Sequence, residues 1–201
     1  YDSTNVYTYR YKGRSEYETG AYANGLKSMT KFFELAAGQK GLKIIPEDYE
    51  YLAKLYSKNG NDSMAIVYYQ KVVEIAPEKA VDINRDIAIM YQKAKNYEKA
   101  VAFFQKNIES GEGNANDYLG MGRAYYYGKD YVNADSTFSK IIALLPEVNM
   151  GYLWRARVNA NLDPGNKDWK AKPFYESYIQ YTKPEDIEKS KKDMMEAYNY
   201  M

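Results

Sequence analysis

Apolar and small residues recur along the chain at helical spacing, and the register itself repeats. Tyr49, Leu52, Ala53 and Tyr56 lie on one face of a helix. After the turn-forming run Lys58-Asn59-Gly60-Asn61-Asp62, Ala65 and Tyr69 stand four apart as the stripe of a second helix, which Pro77 ends. The register returns in Asn84, Ile87, Ala88 and Tyr91, followed by Ala100 and Phe104. It returns again in Tyr118, Met121, Gly122 and Tyr125, followed by Ala134, Phe138 and Pro146. Ala65, Ala100 and Ala134 fall 35 and 34 residues apart. The small residue in each first helix (Ala53, Ala88, Gly122) lets a second helix approach closely. Turns at Lys95-Asn96 and Gly128-Lys129-Asp130 separate the members of each pair. The pattern predicts helix pairs over 46–80, 81–114 and 115–148.

The flanks follow the pattern less closely. Tyr152, Arg155, Ala156 and Asn159 predict another first helix, and Ala171, Tyr175 and Tyr178 its partner, in a repeat over 149–184. Between them Leu162-Asp163-Pro164-Gly165-Asn166-Lys167-Asp168 lengthens the turn, with Asp168 placed to cap a helix starting near Trp169. Residues 185–201 read as the first helix of a truncated repeat. Tyr9, Gly13, Gly25, Met29 and Phe32 predict a degenerate hairpin within 1–45, closed by a loop at Ala37-Gly38-Gln39-Lys40-Gly41.

These residues resemble the tetratricopeptide repeat, with its aromatic-x2-Leu-Gly-x2-Tyr motif followed by Ala, an aromatic and Pro. Three repeats fit, over about half the chain, and it is their common register that makes the match specific. The resemblance implies an all-α fold, a right-handed superhelical solenoid of antiparallel helix pairs, here about five hairpins and part of another helix. Gly120-Met-Gly-Arg-Ala-Tyr-Tyr-Tyr127, Ala134-Asp-Ser-Thr-Phe138 and Gly151-Tyr-Leu-Trp-Arg-Ala-Arg157 are further similar to such proteins of Bacteroidetes-type bacteria. That similarity implies a periplasmic or cell-envelope protein whose export signal preceded Tyr1. The alternative compartment is the cytoplasm.

Composition narrows the chemistry. The chain has neither Cys nor His, so thiolate nucleophiles, the usual zinc ligands and the side chain best suited to proton transfer near neutral pH are missing. A net charge of +1 gives no field to draw in nucleic acid. No apolar run approaches the roughly 20 residues of a membrane span. Gly111-Glu-Gly113 and Gly120-Met-Gly122 lack the Lys and the strand of a phosphate loop. Asp163, Asn166 and Asp168 lack the spacing and terminal Glu of a calcium loop. The carboxylate pairs Glu47/Asp48 and Asp82/Asp86 read as solvated helix faces, as does the mixed-sign cluster of Glu185, Asp186, Glu188, Lys189, Lys191, Lys192 and Asp193. The chain is expected to be no enzyme, and to carry no cofactor and no metal.

The resemblance assigns groove positions to the first helices: Glu47, Glu50, Lys54 and Ser57; Asp82, Arg85, Ile89 and Gln92; Asn116, Leu119, Arg123, Tyr126 and Tyr127; Met150, Leu153, Arg157 and Ala160. The front is charged, while the rear combines aromatic, aliphatic and Arg residues typical of energetically dominant contacts. Partner binding is therefore expected at Leu119, Arg123, Tyr126, Tyr127, Leu153 and Arg157, with a protein or peptide as the partner. The competing assignment has Tyr126 and Tyr127 filling the helix stack. Some relatives hold a chaperone's C-terminal carboxylates with a Lys/Asn/Asn/Lys/Arg clamp. The matching positions here are Glu50, Lys54, Asp86, Asn116 and Gly120, which form no such clamp. Two further functions stay open: an envelope-assembly adaptor whose binding part lies C-terminal to Met201, and the repeat module of a larger enzyme.

Overall fold

A computed structural model of the chain describes residues 5–201. Eleven α-helices occur among the described residues, and the chain divides into two compact units, Tyr1–Ile83 and Asn84–Met201.

In the first unit α1 (Val6–Glu18) pairs with α2 (Tyr22–Ala37), and α3 (Pro46–Lys58) with α4 (Asp62–Ile75). A short 3-10 turn, Pro77–Lys79, then leads into α5 (Ala80–Lys93), within which the boundary falls. Met29, Phe32, Leu52 and Leu55 are sealed from solvent and ringed by half-buried tyrosines, among them Tyr56 and Tyr68, which stack at 5.4 Å. A narrow two-helix layer has no fully buried middle, and tyrosine fills it with a ring inside and a hydroxyl at the edge.

The second unit continues with α6 (Tyr97–Glu109), α7 (Ala115–Tyr127), α8 (Tyr131–Leu144), α9 (Asn149–Leu162), α10 (Lys172–Gln180) and α11 (Lys191–Tyr200). The turns explain the pairing. In each regular hairpin a left-handed residue precedes a polar N-cap: Gly60 (φ 80) before Asn61, Lys95 (φ 58) before Asn96, and Lys129 (φ 65) before Asp130. Each cap side chain accepts a backbone N–H from three residues further on, satisfying an otherwise orphaned donor.

The small residue at Gly122 performs the task its position predicts. A Cβ there would lie 2.6 Å from the Phe138 ring, which is itself sealed and stacked on Trp154 and so has nowhere to move. Gly122→Ala is expected to lower stability by about 1–3 kcal/mol through overpacking, even though alanine favours a helix by about 1 kcal/mol. Urea denaturation gives the sign, and a raised midpoint would contradict the close approach.

Several expectations need correction. Asp48 is no solvated carboxylate. It is fully buried, accepts from the Ile45 backbone N–H at 3.0 Å, and meets Arg10 at 2.8 Å and Arg14 at 2.6 Å. Asp168 does not cap a helix near Trp169, because α10 starts only at Lys172. The turn is organised instead by Asp163, whose carboxylate accepts from the backbone N–H groups of Lys167, Asp168 and Lys170. Burial works against its charge, but those three donors outweigh it and hold its pKa below the usual carboxylate value. The final helix is also shorter than 185–201, since Pro184–Asp186 forms a 3-10 turn and α11 begins at Lys191.

Candidate functional site

The first helices of the second unit, α5, α7, α9 and α11, carry the residues expected to meet a partner. Leu153 is 1% exposed and belongs to the core with Ala156, Tyr175 and Tyr178. It is a packing residue, which corrects its assignment as a contact. Leu119 is half-buried against the cluster of Phe138 and Trp154.

Arg157 is likewise engaged within the chain. Its guanidinium donates to Glu196 at 2.7 and 2.9 Å and to Asp193 at 2.6 Å, tying α9 to α11. Burial alone would weaken its charge, but the two carboxylates overcome this and push its pKa up. The Tyr175 hydroxyl donates to the same Glu196 at 2.8 Å. Glu196 is opposed by burial yet held low by Arg157 and Tyr175. This network joins three helices and leaves Arg157 little capacity for a partner.

Tyr126 and Tyr127 were open between groove and stack, and the structure divides them. Tyr126 is half-buried, edge-on to Trp154 at 5.4 Å and to Tyr131 at 5.7 Å, with its hydroxyl 3.3 Å from the Asn161 amide. Tyr127 also touches Trp154, at 6.1 Å, but is 49% exposed. It lies nearly parallel to Tyr97 with ring centroids 6.2 Å apart. Arg123 is exposed, its guanidinium 5.4 Å from the centre of the Trp154 ring.

Arg123 and Tyr127 line an open cavity of about 470 Å³ with Ile89, Gln92, Lys93, Lys95 and Tyr97. Three elements build it: the C-terminal half of α5, the turn and start of α6, and the last turns of α7. Gln92 is fixed by donating to the Gly120 carbonyl at 2.8 Å. The first-helix positions Ile89 and Gln92 were legible in the repeat register. The register marks Lys95 only as a turn residue and does not mark Lys93 or Tyr97, because they come from a helix end and the start of a second helix. The charge run Lys93-Ala-Lys95 beside an aromatic was the available clue.

The groups brought together are aromatic, aliphatic and cationic. They offer no paired acid and base, and no group of three or more carboxylates that would hold a metal occurs among the described residues. No helix among them is long and apolar enough to cross a membrane.

The tetratricopeptide-repeat profile matches residues 49–79 and 118–147. A crystal structure of the C-terminal part of a TPR repeat-containing protein from Cytophaga hutchinsonii, a Bacteroidetes member, is 33% identical. It aligns over 99% of this chain and 75% of that one, with a TM-score of 0.85. The chain belongs to the tetratricopeptide-repeat family. Heat shock protein STI1 of Saccharomyces cerevisiae is 26% identical over 152 residues. That match covers 75% of this chain and 24% of STI1, so the chain spans about a quarter of that relative's length. MamA of Desulfovibrio magneticus RS-1 has the same fold at 16% identity, with a TM-score of 0.67 over 92% of this chain and 96% of that one. The small residue at Gly122 and the Ala134/Phe138 stripe thus lie within a matched tetratricopeptide repeat.

Proposed function

We propose that this tetratricopeptide-repeat chain is a protein-interaction scaffold that seats a partner segment in the cavity between α5 and α7. Proteins of this family bind proteins and peptides and are typically non-enzymatic. The observation that carries the placement is the exposure of Tyr127 and Ile89, at 49% and 39%, beside an Arg123 left open to solvent. Tyr and Arg anchors in such a pocket supply most of the energy of many interfaces. Within this reading Arg123 and Tyr127 make the contacts, with Leu119 and Tyr126 at their base. Leu153 and Arg157 act as positioning residues, one by packing and one by holding α11 to α9. The partner is a protein, and no cofactor, metal or nucleic acid takes part.

Affinity capture from native extract tests this. Arg123→Ala with Tyr127→Ala is expected to reduce recovery of specific partners by about tenfold or more, a loss of at least about 1.4 kcal/mol. Val132→Ala, at a 71% exposed site on α8, serves as the control and leaves recovery unchanged. Equal recovery by the double variant, with helical content intact, would refute the placement. A partner that ignores residues 1–201 but binds a longer form of the protein would instead favour the assembly-adaptor reading.

The compartment proposed is the periplasm or cell envelope, on the sequence similarity of Gly120–Tyr127, Ala134–Phe138 and Gly151–Arg157 to Bacteroidetes-type repeat proteins. Fractionation that recovers the protein with cytoplasmic markers would reverse it.

A further inference from the structure

The chemistry of this cavity specifies the kind of segment it holds. Of the four arginines of the second unit, three are engaged by carboxylates. Arg85 pairs with Asp117, Arg155 with Asp135, and Arg157 with Asp193 and Glu196. Arg123 has no carboxylate partner among the described residues, and neither do Lys93 and Lys95. All three are exposed and line one cavity that no acidic side chain enters.

The local helix ends account for only part of this. Lys93 lies in the last turn of α5, where the carbonyl ends of the helix favour a cation. Lys95 stands beyond that helix, in a left-handed turn position that its neighbour repeat fills with Gly60. Arg123 lies inside α7, held over Trp154 with its N–H donors open to solvent. A guanidinium fixed against an aromatic face offers a planar fork to a carboxylate at little further entropic cost. The wall beside these cations is apolar, formed by Ile89 and by Tyr127 lying against Tyr97. The net charge of the chain is only +1, so this is a local concentration of positive charge.

We infer that the α5–α7 cavity recognises an extended acidic segment of a partner protein, with carboxylate side chains flanking an aliphatic or aromatic residue. The inference rests on the scaffold reading above and names the chemistry of its partner. The carboxylates meet Arg123, Lys93 and Lys95, while the residue between them lies on Tyr127 and Ile89.

The test uses the full chain and capped, fluorescein-labelled peptides of about eight residues, alternating Glu with Leu or Gln with Leu, followed by fluorescence anisotropy. The Glu–Leu peptide is expected to bind about tenfold or more tightly than the Gln–Leu peptide, and to weaken as salt rises. Lys93→Gln with Lys95→Gln and Arg123→Gln should remove that preference and its salt dependence, with helical circular dichroism unchanged. A Lys93→Glu, Lys95→Glu variant should go further and disfavour the acidic peptide. Equal affinity for both peptides, lost on Tyr127→Ala, would overturn the acidic specificity and leave the groove reading standing. Glu–Leu binding indifferent to Tyr127→Ala and to the charge changes would overturn the inference and count against the groove as well. Full displacement by inorganic phosphate would assign the cations to a simple anion site and also overturn it.

Discussion

Asp117→Ala is expected to destabilise the second unit by about 3–5 kcal/mol, the range for removing one partner of a buried ion pair. Asp117 is the third residue of α7 and fully buried. It accepts from the Asn114 backbone N–H at 3.0 Å, from the Asn107 amide at 3.0 Å, and from Arg85 at 2.9 and 3.1 Å. One carboxylate thus completes the N-terminal cap of α7 and ties it to α5 and α6. Truncation removes the acceptor shared by Arg85, the Asn107 amide and the Asn114 N–H, and the cost of losing these buried bonds makes the loss large. Urea denaturation followed by circular dichroism reads it. Combining Arg85→Met with Asp117→Ala should recover part of the loss, because the Arg85 charge is then removed together with its Asp117 acceptor. A double variant less stable than the single one would exclude this account.

The same residue sets a pH response. Burial alone would raise the Asp117 pKa, but Arg85, Asn114 and Asn107 outweigh it and hold it below the ordinary value. A carboxylate whose folded pKa is depressed contributes stability above its unfolded pKa, near 4, and loses it as pH falls through the lower folded value. Stability should therefore decline below about pH 4 in the native chain, with a shallower decline in the Asp117→Ala variant, since one depressed carboxyl is gone.

Trp154→Ala is expected to cost about 3–5 kcal/mol, as large-to-small changes at buried aromatics do, and to weaken partner binding at the same time. Trp154 is 7% exposed and stacks on Phe138 at 5.5 Å with 16° between the rings. Tyr126 and Tyr127 meet it edge-on, and the guanidinium groups of Arg123 and Arg157 lie 5.4 and 5.1 Å from its centre. The cavity left by its removal would free the two residues proposed as anchors. Trp154→Phe keeps part of the ring stack and should lose less on both counts. Binding retained at full strength in a folded Trp154→Ala protein would separate the anchors from their support. Trp169, 47% exposed, remains as a fluorescence probe in either variant.

Asp48 shows where pattern reading reached its limit. It occupies the same place in its repeat as Asp117, and both lie at the third position of a first helix. Adjacent carboxylates on a polar stretch resemble a solvated face until the preceding first helix brings arginine to them. Arg10 and Arg14 are more than thirty residues away in sequence. Periodicity within one helix carries no information about such a partner. The tyrosines failed for a related reason: their spacing marks a face, but ring stacking and exposure depend on the neighbouring helix. Tyr126 and Tyr127 are adjacent in sequence, yet one is half-buried and the other exposed, because consecutive helix positions point about 100° apart.

The sequence by itself determined the repeating helix pairs, their turns and their small-residue contacts, because these follow from spacings within about 35 residues. It also set the chemistry available, through the absence of Cys and His. Only the tertiary structure decided which charges are neutralised and which stay open. Arg123 and Arg157 hold the same groove position in successive repeats, but only packing brings carboxylates to Arg157. The groove proposed here therefore lies at α5–α7 rather than α7–α9, where Arg123 and Tyr127 line one cavity with Lys93 and Lys95.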